Sequence, residues 1–271
     1  MFAGFNLQIN EQDIMAPYFE KEGAIIYYKQ KNQIKKDLED YMVNGNEISV
    51  PMLEKDWFPS LNVDVFISHS HKDESLAIAF AGFLNKIFGL NCFIDSCVWG
   101  CADDLLKSID RKFCVSKRND DGTIKTYDYE MRNKSTANVH IILNSALQKM
   151  IDKTECLMFL NTPNALLMDD LKNDINAATS SPWIYSELLF SRLAEKKKLS
   201  EYRNSVILEY AQHSDSLDFR YDVSLDHLID LDRADILHMW TRCKNVNSTN
   251  PDDRYKVLDY LYKYKGILSN D

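Results

Sequence analysis

The sequence lacks the motifs of several common site types. It contains no GxGxxG or GxxxxGK[ST] segment, which argues against a Rossmann dinucleotide cradle and a P-loop ATPase. None of its six cysteines forms a CxxC pair. The nearest approach to a metal-ligand spacing is Cys97 and Cys101 with His69 and His71 upstream, and no second pair completes a tetrahedral set. We therefore predict no metal site, and we expect reduced cysteines.

Long apolar runs and excess positive charge are also missing. The longest apolar run, residues 76–84, is much shorter than the roughly 20 residues of a membrane helix. The first residues carry no basic segment and reach Glu11 early, unlike a secretory signal. The net charge of −9 disfavours a nucleic-acid backbone or an anionic membrane as partner. The sequence thus predicts a cytoplasmic protein with no membrane and no nucleic-acid partner.

Short apolar runs alternate with helical periodicity along most of the chain. Such runs are typical of strands buried on both faces of a parallel sheet, joined by right-handed helical crossovers. We predict an α/β fold of the flavodoxin-like kind, with a five-stranded parallel sheet and helices on both faces. The predicted strands are residues 63–68, 90–95, 156–161, 205–210 and, more weakly, 217–223.

Composition divides the chain into three parts. Residues 1–61 are predicted to form a helical N-terminal extension, 62–223 the α/β domain, and 224–271 a helical C-terminal extension packed on the core. Within the domain, residues 115–135 are polar and contain Asp121-Gly122, which predicts an inserted hairpin or loop. The link over residues 162–180 is long for a βα connection and is a candidate lid.

Ligands of open parallel sheets bind outside the carboxyl ends of the strands. After the first predicted strand comes SHSHKD (68–73), whose hydroxyls, imidazoles and Lys72 lie at a predicted helix start. A helix N-terminus suits a phosphate or diphosphate, but Ser70 and Asp73 could equally cap the helix. Asp95 and the loop with Trp99 follow the second strand, and Asn161 follows the third.

The stretch SPWIYSEL (181–188) predicts a second candidate feature. Ser181 is suited to cap a helix and Pro182 to occupy its first position. The i to i+4 spacing then places Trp183 and Glu187 on one face. Either Trp183 is a core residue with Glu187 on a solvated face, or Glu187 lies in a pocket for chemistry.

These segments, in this order, resemble a Toll/interleukin-1 receptor (TIR) domain over residues 62–223. The resemblance is carried by DVFISHSHKDE (64–74), CFID with DDLLKSID (103–110), CLMFLNT (156–162) and SPWIYSEL. It implies a bacterial NAD+-cleaving enzyme that releases nicotinamide and leaves linear, cyclic or conjugated ADP-ribose as a signal in anti-phage defence. NAD+ would be the substrate, with no separate cofactor, and a downstream effector would sense the product.

The resemblance also implies roles for particular residues. Glu187 takes the catalytic position of the family motif W-C-x-x-E-L, in which Ile184 replaces the cysteine. The loop 96–104 corresponds to the segment through which family members self-associate. From their place at the crevice, we expect substrate contacts from Ser68, His69, Ser70 and Lys72 toward the diphosphate or proximal ribose, with Asp95 and Trp183 beside them. Phe93 and Trp99 are either stacking rings for the ligand or core residues, and the core is favoured for Phe93.

Two alternatives stay open at this stage. A non-catalytic TIR adaptor would use the loop 96–104 to bind another TIR-like surface. A deoxyribosyltransferase-like enzyme of flavodoxin-like build would also use a glutamate in the crevice.

Overall fold

The sheet at the centre of the molecule is built from five parallel strands. A computed structural model describes residues 1–33, 42–43, 47–50, 52, 63–167, 177–203, 221–243 and 251–269. Its strands are β1 (Ala3–Leu7), β2 (Met42–Val43), β3 (Glu47–Ile48), β4 (Val65–Ser68), β5 (Cys92–Ile94), β6 (Val115–Arg118), β7 (Ile124–Tyr127), β8 (Cys156–Leu160), β9 (Ala178–Thr179), β10 (Tyr221–Asp222) and β11 (Ile229–Leu231). The main sheet has the order β11-β1-β8-β4-β5, which confirms the α/β class.

Helices fill most of the connections between these strands. They are α1 (Ala16–Gln33), α2 (Glu74–Phe88), α3 (Ser96–Phe113), α4 (Tyr129–Lys153), α5 (Pro182–Leu193), α6 (Leu199–Arg203), α7 (Arg233–Cys243) and α8 (Pro251–Tyr264). The connections from β1 to β4 and from β4 to β5 lead toward the β5 edge of the sheet. Those from β5 to β8 and from β8 to β11 lead in the opposite direction, toward the β11 edge. Right-handed crossovers therefore place α1 and α2 on one face and α4 and α5 on the other. In the described part of the chain, no helix has the length and apolar character to cross a membrane.

Two of the five strands differ from the sequence prediction. Residues 1–61 were predicted to be helical, yet β1 lies between β8 and β11 in the sheet. β11 falls within the predicted helical extension 224–271. The predicted strand 205–210 lies outside the described residues, and the described part of 217–223 includes β10, which pairs antiparallel with β9 away from the main sheet.

The composition of β1 explains why its sequence does not look like a strand. Glycine and asparagine are depleted in strands, and β1 contains Gly4 and Asn6. Tertiary contacts explain why both residues occur in this strand. A Cβ on Gly4 would lie 2.6 Å from the Leu228 side chain, and Asn6 Nδ2 donates to Asp230 Oδ1 at 2.8 Å. The spatial order of β4, β5 and β8 is that of the first three flavodoxin-like strands, and β1 occupies the next position.

Other elements agree more closely with the sequence. The insertion contains the hairpin β6–β7, with Gly122 at a φ of 83°, and α4 begins at Tyr129. Gly89 ends α2 in the left-handed conformation. The segment 96–104 was predicted to be a loop, but its backbone forms the first turns of α3 directly after Asp95.

The amino end of the sheet is closed by buried ion pairs. Asp64 precedes β4 and Glu155 precedes β8, and each is 2% exposed. Arg254 Nε lies 3.3 Å from Asp64 Oδ1, and Arg203 Nη2 lies 3.1 Å from Glu155 Oε1. Burial raises the pKa of Asp64 to about 6. These pairs attach α6 and α8 to the sheet.

Helices α1 and α2 approach each other through glycines. A Cβ at Gly23 would lie 1.8 Å from the carbonyl oxygen of Ile78, and one at Gly82 would lie 2.2 Å from that of Phe19. Backbones this close admit no side chain at either position. The position of α1 relative to α2 therefore depends on these two residues.

We expect Gly23→Ala to destabilise the protein by about 2 kcal/mol or more, because the added methyl group must displace a backbone carbonyl. Helix propensity alone predicts the opposite sign, since alanine is favoured over glycine within a helix by roughly 0.5–1 kcal/mol. Urea denaturation measures the difference. Glu20→Ala, at an exposed position of the same helix, should stay within about 0.5 kcal/mol of the wild type; a Gly23→Ala protein as stable as wild type would contradict the packing.

Candidate active site

Four polar side chains meet, buried, at the carboxyl end of the sheet. Ser68 is the last residue of β4, His69 follows it, Asp95 follows β5, and Glu187 lies on α5. Ser68, His69 and Asp95 have no exposed area, and Glu187 is 2% exposed. Glu187 is therefore enclosed beside the tip of β4 and does not lie on a solvated face; that it lines a pocket for chemistry stays a prediction.

Short contacts connect the four residues. Ser68 Oγ donates to Glu187 Oε2 at 2.5 Å. His69 Nδ1 lies 2.5 Å from Asp95 Oδ1, and the His69 backbone N–H donates to Asp95 Oδ2 at 3.4 Å. We call these four residues the tip cluster.

The start of α5 sets the orientation of Glu187. Ser181 caps the helix by accepting from the Ile184 N–H at 3.3 Å, and Pro182 occupies the first position, as the sequence predicts. Ile184 and Leu188 are both buried and turn this side of α5 toward the core. Glu187 shares their face and is thereby directed into the protein.

The environment of Glu187 disfavours its charged form. Burial raises its pKa well above the ordinary value, and the neighbouring negative charge of Asp95 raises it further, while the hydrogen bond from Ser68 acts in the opposite direction. Both burial and the charge of Asp95 favour the protonated form of the carboxyl group. The surroundings of Glu187 in this conformation therefore favour a neutral acid.

His69 supplies the positive charge of the tip cluster. Burial alone would lower the pKa of its imidazole, but the adjacent Asp95 carboxylate more than offsets this and the pKa is raised. The raised pKa of His69 favours its protonated form, which lies against the Asp95 carboxyl group. Loss of the Glu187 proton would leave one uncompensated buried negative charge.

The tip cluster differs from the buried acids at the other end of the sheet. Asp64 and Glu155 have arginine partners. Within the described part of the chain, neither Asp95 nor Glu187 pairs with a lysine or arginine. Buried carboxylates with a purely structural role ordinarily pair with a positively charged side chain. Carboxyl groups with strongly perturbed pKa values and no such pairing concentrate at functional sites.

Two other residues expected to contact the substrate, Ser70 and Phe93, have structural contacts instead. Ser70 caps the short 3₁₀ turn before α2, accepting from the Lys72 N–H at 3.4 Å, so the capping alternative describes its observed contact. Phe93 is 2% exposed and packs against Phe66 in the core at a ring-centroid distance of 5.4 Å. Its ring is therefore not available for stacking on a ligand, and of its two alternatives the core role is the observed one.

The two tryptophans give less information about a ligand. Trp183 is half-buried and makes an edge contact with the ring of His140, with centroids 5.4 Å apart. It packs against the core while keeping part of its surface exposed. Trp99 belongs to the first turns of α3, and its side chain lies outside the described residues.

An open cleft of about 800 Å³ lies at the same end of the sheet. This volume is within the usual range for ligand pockets, about 300–1,000 Å³. Among the described lining residues, Lys72 is the one shared with the expected substrate contacts, and Glu187 does not belong to them. The described lining residues are Gln8, Ile9, Asn10, Glu11, Asp13, Lys72, Asp73, Ser75, Leu76, Asn161, Thr162, Pro163, Asn164, Leu166 and Leu167.

The charge of the described lining does not favour a diphosphate. Among the described lining residues, the charged side chains are the acids Glu11, Asp13 and Asp73 and the base Lys72. Asp73 is held by Thr162 Oγ1 at 2.6 Å and Asn164 Nδ2 at 2.8 Å. The contribution of residues 8–13 was not predicted because β1 does not look like a strand in sequence; once β1 is known, the rule that loops after parallel strands line the site identifies them.

Comparisons with protein-family models, with curated proteins and with solved structures find no match to this chain. The described residues contain no group of three or more histidine, cysteine, aspartate or glutamate side chains arranged to hold a metal ion. The five described cysteines are buried and form no disulfide. Functional inference therefore depends on the tip cluster and on the sequence motifs that contribute to it.

Glu187→Gln should change how stability depends on pH. Above pH 4.5, the ordinary value for glutamate, the unfolded chain loses this proton while the folded chain keeps it. Each further pH unit then disfavours folding of the wild type by up to about 1.4 kcal/mol, until the raised pKa is reached. Urea denaturation between pH 4 and 8 should show the variant gaining stability relative to wild type as pH rises. The unfolding free energy of Glu195→Gln, a change at an exposed position, should follow the pH dependence of the wild type. The same pH dependence for Glu187→Gln and wild type would contradict the assigned protonation.

Proposed function

We propose that this protein cleaves the N-glycosidic bond of NAD+ and that Glu187 is the catalytic residue. The observation that carries the proposal is the buried Glu187 carboxyl at the carboxyl end of β4, held by Ser68 and adjacent to Asp95 without an arginine or lysine partner in the described chain. The ordered motifs shared with TIR domains supply the reaction class. The TIR assignment, the role in anti-phage defence and the effector that senses the product belong to the same proposal.

The proposed reaction requires only one catalytic carboxylate from the protein. The bond between ribose C1′ and the nicotinamide nitrogen breaks, its electron pair neutralises the pyridinium, and nicotinamide leaves uncharged. Water or a substrate hydroxyl then bonds to C1′ and releases a proton. Because the leaving group needs no protonation, the second carboxyl group of ordinary glycosidases is dispensable.

Glu187 would stabilise the positive charge that develops on the ribose. At roughly 4 Å and an effective dielectric constant near 20, this attraction is worth about 4 kcal/mol. That free energy corresponds to a rate factor on the order of a thousand. A single side chain can therefore decide whether the reaction is observed.

The protonation of Glu187 fits a cationic substrate. An adjacent positive charge favours the ionised form of a carboxyl group. The nicotinamide ring of NAD+ carries such a charge, and on binding it would lower the pKa of Glu187 and replace its proton. Access requires the segments that cover Glu187 to move, since the side chain is enclosed in this conformation.

Purified protein should release nicotinamide from NAD+, and Glu187→Gln should reduce the rate about a thousandfold because the transition-state charge loses its counter-ion. Chromatography of the products measures both nicotinamide and the form of ADP-ribose. Glu195→Gln serves as the matched control and should keep wild-type turnover. Equal turnover by the wild type and the Glu187 variant would refute the proposal.

Asp95→Asn should move the acid limb of the pH–rate profile to lower pH. Removing the neighbouring negative charge lowers the pKa of Glu187, so the ionised form appears at lower pH. The profile of kcat/KM for NAD+ cleavage, which reports groups of the free enzyme, measures the shift. A limb that stays in place, or moves to higher pH, would show that Asp95 does not control Glu187.

A non-catalytic adaptor is the second candidate, and the enclosure of Glu187 favours it. The side chain is 2% exposed and is not part of the cleft lining. An adaptor would self-associate through the segment 96–104 without consuming NAD+. Concentration-dependent association in analytical ultracentrifugation, together with no nicotinamide release even in the associated state, would decide for the adaptor.

A further inference from the structure

Strand β5 lies at the edge of the main sheet. Edge strands leave backbone N–H and C=O groups without a neighbouring strand, and those groups need another partner when buried. β5 is buried along its whole length. The partner on its outer side is Gln30 of α1.

The Gln30 amide bonds to β5 in the way a strand would. Its Nε2 donates to the Cys92 carbonyl at 2.6 Å, and its Oε1 accepts from the Ile94 N–H at 3.4 Å. A residue on an adjacent parallel strand also offers one donor and one acceptor to residues two apart. Gln30 is 7% exposed, so these bonds are shielded from water.

The same amide also reaches the start of α3. Gln30 Oε1 accepts from Cys97 Sγ at 3.5 Å, and the Cys97 thiol also lies 3.7 Å from the carbonyl oxygen of Tyr27. Asp95 lies between Ile94 and Cys97. Gln30 therefore fixes the backbone on both sides of the carboxylate that faces His69 and Glu187.

We propose that Gln30 is a positioning residue that holds Asp95, and through Asp95 the tip cluster, in place. This inference rests on the proposed function where it concerns NAD+ cleavage. It gives the N-terminal segment a part in the active site, since α1 presents Gln30 and the close glycine contacts fix α1. Among the described residues, Asp95 and Glu74 act electrostatically on His69, Glu187 lies beside Asp95, and Tyr27 of α1 donates to Glu74 Oε2.

Gln30→Met tests the proposal because methionine keeps the length and volume but offers no comparable donor or acceptor. We expect amide hydrogen exchange at Ile94, followed by NMR, to accelerate at least tenfold. We expect the acid limb of NAD+ cleavage to move to lower pH, in the same direction as for Asp95→Asn and by less. Glu22→Gln removes a surface pair between α1 and Lys86 of α2 and should leave both measurements at wild-type values.

The two proposals fail in different ways. If the wild type does not cleave NAD+, the proposed function fails, and the positioning role is then judged from Ile94 exchange and the NMR titration of His69. His69 should titrate at lower pH in Gln30→Met, since its partner Asp95 is less firmly held. Wild-type exchange and titration, or faster exchange with an unchanged His69 midpoint, would overturn the positioning role. Gln30→Asn, which keeps an amide one methylene too short to span both groups, repeats the test if Gln30→Met does not fold.

Discussion

A carboxyl group removed from water must keep its proton or acquire a positive neighbour, and this constraint dominates the carboxyl end of the sheet. Glu187 meets it by staying neutral beside an Asp95 whose charge His69 already balances. Under the proposed function, the positively charged nicotinamide ring would supply the neighbouring charge that the ionised form of Glu187 needs.

The buried acids at the two ends of the sheet thus have different kinds of partner. At the amino end, Arg203 and Arg254 provide permanent counter-ions from the C-terminal half of the chain. At the carboxyl end, a histidine provides a charge that depends on pH and on geometry. The N-terminal helix enters this second arrangement through a buried amide, so the segment that sequence analysis separated from the domain contributes to its most distinctive feature.

The sequence predicted those elements whose local signals agree with their tertiary role. Strands β4, β5 and β8 are continuous apolar runs, and α5 begins at a serine and a proline that suit a helix start whatever surrounds them. It failed at β1, where Gly4 and Asn6 are unfavourable for a strand in isolation and become suitable only against Leu228 and Asp230. Similarly, W-x-x-x-E spacing indicated which face Glu187 shares, whereas its pairing with Ser68 depends on residues 119 positions apart.

The place of β1 between β8 and β11 has a consequence for biosynthesis. Asn6 and its partner Asp230 are 224 positions apart. At about 5–20 residues per second, the ribosome needs roughly ten seconds to most of a minute to deliver the second after the first. Until then one side of β1 has no neighbouring strand in the nascent chain, because the sheet gains β11 only after residue 231 has been synthesised. Chaperone binding during that interval would protect β1, which is buried along its whole length in the folded protein.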